Sequence, residues 1–281
     1  MYQPWLTTLD HVRQHRRLAA TETGDNPLLQ SFIRGISQDF VTALQRTPVP
    51  YVMTRLFDYG GEYMKSARKL LLDEDLLAVT TLTNGDDSAI SSDDYVLMSA
   101  NRYPKFGIKL KLNSGIVWLY DDDPEECISV AGTWGYVPHY ATGAWKDSGV
   151  NVPAGDISAS ATSVELGENE GASFETGQYI RIESETIQVT AISDDTLTLS
   201  RGELGTTAAS HAEGEDIEIF HQLEDIKDAV RELVAYRYKT KDQIGGRVQV
   251  FQGGVLQVQD VDPMVQETVD RHRRVRISGI G

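Results

Sequence analysis

The sequence predicts an α+β fold: a helical bundle body with short β-strands and hairpins, plus an inserted all-β barrel or sandwich module. Three observations predict it. Apolar residues recur at three- and four-residue steps in two distant segments, 29–44 and 223–234. Between 151 and 220 the period becomes two, punctuated by Gly, Asn and Asp at roughly ten-residue intervals. That same stretch holds two basic residues, Arg181 and Arg201, against fourteen acidic ones, so it carries −12 of the chain's formal −16. A composition break of that size marks a separately folded insert and divides the chain into 1–150, 151–220 and 221–281.

A short helix covers Leu9 to Leu18. Asp25-Asn26-Pro27 is a helix start, because Asp or Asn can cap and Pro fits the first turn, where its missing N–H costs nothing. The helix it opens places Leu29, Phe32, Ile33, Ile36, Phe40, Val41 and Leu44 on one stripe and runs to about Arg46. Strand-like runs come next: Val52 to Phe57, Lys69 to Leu72, Leu76 to Leu82, Tyr95 to Met98, Gly107 to Leu112 and Ile128 to Val130. Asn84-Gly85 is a tight-turn signal, since both residues tolerate positive φ. In the insert, 163–166, 179–182, 186–189 and 196–199 alternate apolar with polar residues. Leu223, Ile226, Val230, Leu233 and Val234 then mark a second long helix ending before Gly245-Gly246, and Asp262-Pro263 opens another that reaches about Arg274. Helices from both chain ends form the body, so the insert must leave and re-enter it at neighbouring points.

A chain of 281 residues is long enough for a sizeable core. Forty-two acidic against twenty-six basic residues, with a pI near 4.7, argue against a broad face gripping nucleic acid, which needs clustered Lys and Arg. One cysteine, Cys127, excludes an internal disulfide, a thiolate-rich zinc site and CxxC redox chemistry. No leader pattern opens the sequence and no run of 18 apolar residues occurs, so a soluble, unprocessed protein made in a cytoplasm is expected.

Chemistry-bearing motifs are scarce. His11 and His15 stand four apart on a helix, but without the intervening Glu of HExxH and without an obvious third ligand they read as part of a solvated basic face. The acidic clusters at 73–75, 86–87, 93–94 and 121–123 lack the spacing of a calcium loop and read as surface turns. GxSxG, a P-loop and a strand-linked GxGxxG are absent, and no catalytic residue, cofactor or metal is assigned. Gly132-Thr133-Trp134-Gly135-Tyr136 reads as a packing or turning segment.

Two segments look made for partners. Residues 245–258 are bracketed by double glycines and alternate, with Arg247, Val248, Val250, Phe251, Val255, Leu256 and Val258 as the contact-forming set of a hairpin or of an arm that adds strands to a neighbour. Arg271, His272, Arg273, Arg274 and Arg276 fall within six residues of an otherwise acidic protein, as a solvated tail or as a peg for an acidic or carbonyl-rich surface.

In the order of these features the chain resembles the head-completion, or neck adaptor, proteins of tailed bacteriophages. The resemblance covers about 1–140 and 221–276. It lies in the short helix, the long helix followed by Thr54-Arg55-Leu56-Phe57, the run 70–77 leading to Asn84-Gly85, the segment 128–136, the helix 228–234 and the closing 269–274. It implies a non-enzymatic ring of identical copies, usually twelve, beneath the portal protein at the head-tail junction of a virion. Such a ring extends the DNA channel for genome retention and ejection without reading sequence, touches no membrane, and offers its lower surface to stopper or tail proteins. It also makes 271–276 and the glycine-flanked arm the portal and neighbour contacts. The run Leu197 to Thr206, with His211 and Gly214, is similar to small β-modules spliced into phage structural proteins, which suggests decoration or fibre attachment at the rim. A glycan- or host-surface-binding module is the alternative. It needs Trp118, Trp134 or Trp145 exposed as a platform, since the insert's own aromatics are only Phe174, Tyr179 and Phe220. A hydrolase would need two titratable groups converging in a pocket.

Overall fold

The computed structural model describes residues 3–19, 21–241 and 263–274. The elements in chain order begin with helices α1 (Leu9–Arg16) and α2 (Asn26–Leu44). Strands β1 (Tyr51–Phe57), β2 (Met64–Ser66), β3 (Lys69–Thr83), β4 (Tyr95–Met98), β5 (Lys105–Leu110) and β6 (Ile128–Trp134) precede a one-turn helix α3 (Tyr140–Gly143). Then come β7 (Trp145–Asn151), β8 (Ser163–Glu165), β9 (Tyr179–Ile182), β10 (Glu185–Ser193), β11 (Thr196–Ser200), β12 (Asp216–Phe220), α4 (Glu224–Lys239) and α5 (Pro263–His272). They form two compact units, 47–144 on its own and 1–46 with 145–281.

The helical-bundle body expected from the sequence is not what forms. The described chain is mainly β, two six-stranded antiparallel sheets with five short helices. The helices lie close to where the periodicity puts them, but the strands of 47–144 are a sheet in their own right. Runs that read as two short strands, 69–72 and 76–82, are one fifteen-residue strand. Register shifts between Leu71 and Leu76, and again between Leu76 and Ala78, carry β3 from its pairing with β5 to its pairing with β6. Bulges of this kind bend a strand and disturb its alternation, which hides the continuity from a periodicity count.

In the 47–144 unit the strand order is β1-β6-β3-β5-β4, with β2 against β3. The register sets Tyr51 and Leu76 beside Trp134, and Phe57 beside Ile128, all buried on one face. Trp134 is fully buried, and its indole N–H donates to the Met53 carbonyl at 2.9 Å. Gly132 is required for close approach, because a Cβ there would lie 2.1 Å from the Ala78 carbonyl oxygen. Asn84 does more than turn the chain. Buried after β3, it donates to the Val117 carbonyl and accepts from the Leu119 amide, pinning 117–119 to the sheet.

In the other unit α2 buries Leu29, Ile33, Ile36, Phe40 and Leu44, and α4 buries Ile226, Ala229, Val230 and Val234. These stripes pack on each other, with α1 and α5 also against α4. The second sheet runs β7-β12-β9-β10-β11-β8 around its own core, which includes Phe174, Ile180, Ile182, Ile187, Val189 and Leu197. Trp145 and Phe220, the two ends of this sheet's chain segment, are cross-strand partners. The segment therefore starts and finishes at one place. An N-terminal strap ties it to the helices: the Trp5 ring lies over Gly177, the Leu9 amide donates to the Thr176 carbonyl, and the Thr176 amide donates to Asp10.

Candidate interface

Asp225 sits in the first turn of α4 and gathers the start of the basic C-terminal run. His272 Nε2 lies 2.7 Å from Asp225 Oδ2, and Arg271 donates to the same oxygen at 3.2 Å while its other terminal nitrogen donates to Glu267 at 2.6 Å. Burial works against charge on Asp225, but His272, the Ile226 amide and Arg271 together hold its pKa below the usual carboxylate range. The backbone amide of Arg274 donates to the Leu44 carbonyl at 2.9 Å and so caps the last turn of α2. Of the residues assigned to partner contacts, Arg271 and His272 thus join α5 to α4 within the subunit, and Arg273 is exposed. Arg276 and the arm set Arg247, Val248, Val250, Phe251, Val255, Leu256 and Val258 lie outside the described residues.

The acidic sheet is locked by the run around Arg201. Arg201 donates through Nε and Nη2 to the two oxygens of Glu185, at 2.8 and 2.7 Å, and both side chains are buried. The amides of Gly202 and Ala209 also donate to Glu185, at 2.9 and 3.0 Å. His211 completes the cluster, with Nε2 at 2.8 Å from Glu185 and Nδ1 at 2.8 Å from Glu183. Burial raises the Glu185 pKa, yet Arg201, the Ala209 amide, His211 and the Gly202 amide outweigh it and hold the group at about 2. The other arginine of the segment, Arg181, is paired with Glu218. Both cations being answered internally, the exposed acids of this sheet, among them Glu165, Glu168, Glu213, Glu215 and Asp216, face solvent without a nearby arginine of their own segment.

The aromatics that a glycan platform would need are inside. Trp118, Trp134, Phe174, Tyr179 and Phe220 are buried, and Trp145 is half-buried, against Phe220 and beneath the Arg181 guanidinium. Tyr179 accepts from the Trp5 amide, and burial pushes its phenol pKa up. A shallow cleft of about 160 Å³ is bordered by Trp5, Thr8, Glu175, Tyr179, Gln222 and Lys227.

Among the described residues no group of three His, Cys, Asp or Glu could hold a metal ion. His11 and His15 face α4 instead: Arg231 donates to His11 Nε2 at 3.0 Å, and His15 Nε2 lies 3.4 Å from Glu232. Arg13, expected on a solvated face, is buried and donates to the Glu22 and Ala19 carbonyls and to Asn26, bracing the turn between α1 and α2. The Cys127 thiol is half-buried and faces the Pro124 carbonyl. No described helix is long and apolar enough to cross a membrane.

No protein-family model matches the chain, and no curated protein matches it. Among solved structures, a chain from the "Neck of empty GTA particle computed with C6 symmetry" is similar with a TM-score of 0.44 and 11% identity, covering 99% of this chain and 95% of that one. A similarity this distant carries no argument about function.

Proposed function

We propose that the chain is a structural, non-enzymatic neck protein of a tailed-phage-like particle. Identical copies form a ring between portal and tail, and DNA passes through it without being read. One observation carries the reading. The segments in which the sequence resembles neck adaptors lie on both sides of 145–220, and the helical ones among them, α1, α2, α4 and α5, pack together in one unit. Burial of the candidate stacking aromatics disfavours the glycan-binding alternative, which needs them at the surface.

A heterologous interface between identical copies closes only at a fixed copy number, so the reading makes a sharp demand on assembly. Native mass spectrometry and cryo-electron microscopy of the full chain, alone and with portal protein, test it. A discrete closed oligomer, or one that forms on portal, supports it. A chain that stays single-copy and ignores portal under all conditions refutes it.

A further inference from the structure

One face of the sheet in the 47–144 unit carries no charge across three strands. The register sets Val52 of β1 opposite Thr133 of β6, and Thr133 opposite Ala78 of β3. Two positions on, Thr54 lies opposite Ala131 and Ala131 opposite Thr81, and Leu56, Ser129 and Thr83 make a third row. Directly opposed residues share a face, and this one is the reverse of the face that buries Tyr51, Trp134, Leu76, Phe57 and Ile128. Val52 and Leu56 are 39% and 51% exposed, Thr54 and Thr81 are exposed, and the others are half-buried. An outward sheet face is normally polar, and an edge strand such as β1 is normally protected by outward charge. Here, in a chain that is 24% charged, the three rows hold no Lys, Arg, Asp or Glu. The one charge of β1, Arg55, lies on the opposite face and pairs with Asp73.

The size and chemistry of this face select its occupant. Between its outermost residues it measures about 13 Å along the strands and about 10 Å across them, far short of the roughly 800 Å² that each partner buries in a standard interface. A narrow segment fits such a strip, and a whole subunit face does not. The segment must also be uncharged, because a charge buried without a partner is strongly unfavourable. Residues 248–259, which lie outside the described residues, have that chemistry: twelve residues without a charge, Val, Phe and Leu interspersed with Gln around Gly253-Gly254. Their apolar side chains match Val52 and Leu56, and their glutamine amides can bond the threonine hydroxyls of the face.

The chain between α4 and α5 also has the reach. His272 at the end of α5 meets Asp225 at the start of α4, so the packed helices run antiparallel and the intervening chain leaves and returns at the same end of the pair. Going out and back, its twenty-one residues, 242–262, extend at most about 33 Å at about 3.3 Å per residue. We propose that the uncharged face of β1, β6 and β3 receives residues 248–259 of a second copy. Face and segment are unlike surfaces, so the contact repeats in one direction around a ring. It deepens the neck-ring reading and rests on it.

The test uses the full chain, alone and with portal protein. In a Cys127→Ser background, chains carrying Thr54→Cys are mixed with chains carrying Gln252→Cys and treated with a short bismaleimide, and a dimer linked from 54 to 252 is expected. Thr54→Glu with Thr81→Glu puts carboxylates at exposed positions of the middle row and should abolish the closed oligomer seen by native mass spectrometry. Val96→Glu, at an exposed position of β4, should leave that oligomer intact. Circular dichroism melts check that each variant folds, and Thr54→Lys, which should also lower assembly, keeps the test open if the double variant does not fold. If wild type forms a ring and the charged face assembles equally well, the contact is wrong although the ring stands. If a chain carrying both cysteines links only within itself, its own segment is the occupant and the proposal fails. Links between two Thr54→Cys chains, with none to 252, make the face self-docking and also defeat it. If wild type stays single-copy even with portal, the ring reading fails and the contact with it.

Discussion

Replacing Arg201 by Met removes the cation from a cluster in which Glu185 is 1% exposed. The cost can be worked out in two ways. The Glu185 pKa of about 2 lies below its ordinary 4.5, and at about 1.4 kcal/mol per pH unit the ionised form gains about 3 kcal/mol on folding, the net of burial against Arg201, His211 and the Ala209 and Gly202 amides together. Removing one partner from a buried ion pair independently costs about 3–5 kcal/mol, because the remaining charge is left without compensation. Only the second route isolates the lost cation, and its lower end, about 3 kcal/mol, equals the net gain of the cluster; a loss of that size lowers the melting temperature of a unit of this size by roughly 6–12 °C. The pH dependence has a definite sign. A carboxylate whose folded pKa is depressed contributes fully above its unfolded value, so this stability is present above pH 4.5 and is lost as pH falls toward 2. The assay is denaturant unfolding of the full chain at neutral and acid pH, with hydrogen exchange following the amides of 179–217. Arg201→Met should lose about 3 kcal/mol at neutral pH and show a flatter acid limb, and Arg201→Met with Glu185→Leu should recover part of the loss. A single variant within about 1 kcal/mol of wild type, with the acid limb unchanged, would refute the reasoning.

Three further outcomes rest on packing and protonation. Gly132→Val forces a side chain into the Ala78 carbonyl and should destabilise the 47–144 unit by about 3 kcal/mol, read as a lower denaturation midpoint; an unchanged midpoint contradicts the β6–β3 approach. Trp5→Ala removes the ring over Gly177 and should cost about 3 kcal/mol, with faster hydrogen exchange confined first to 5–10 and 174–179. His11 has its pKa lowered by burial and by the Lys227 and Arg231 charges, so its neutral form holds α1 on α4. That contribution is complete above pH 6.5 and is lost as pH falls below it, so His11→Gln should flatten stability between pH 7 and 5. An equally steep profile in the variant would point to another group.

The interface was only partly legible. Clustered Arg and His at 271–274 stand out in composition, but nothing local says that Asp225, some 46 residues earlier, will take up Arg271 and His272. The Arg201 motif was visible as a pattern, but its purpose depends on Glu185 and His211 arriving from other parts of the sheet.

Apolar periodicity and helix-start signals by themselves placed helices at about 9–18, 25–46, from 223 to before 245, and 262–274, where the structure has 9–16, 26–44, 224–239 and 263–272, and they placed most of the acidic strands, because amphipathic spacing and turn chemistry act within a few residues. It could not decide that the middle of the chain is a sheet rather than trimming on a bundle. That depended on β3 bulging across two partners, on Gly132 letting β6 approach, and on Asn84 fastening 117–119, and each joins residues far apart in the chain. Apolar spacing sets which face of an element is buried, and only the folded contacts set what it is buried against.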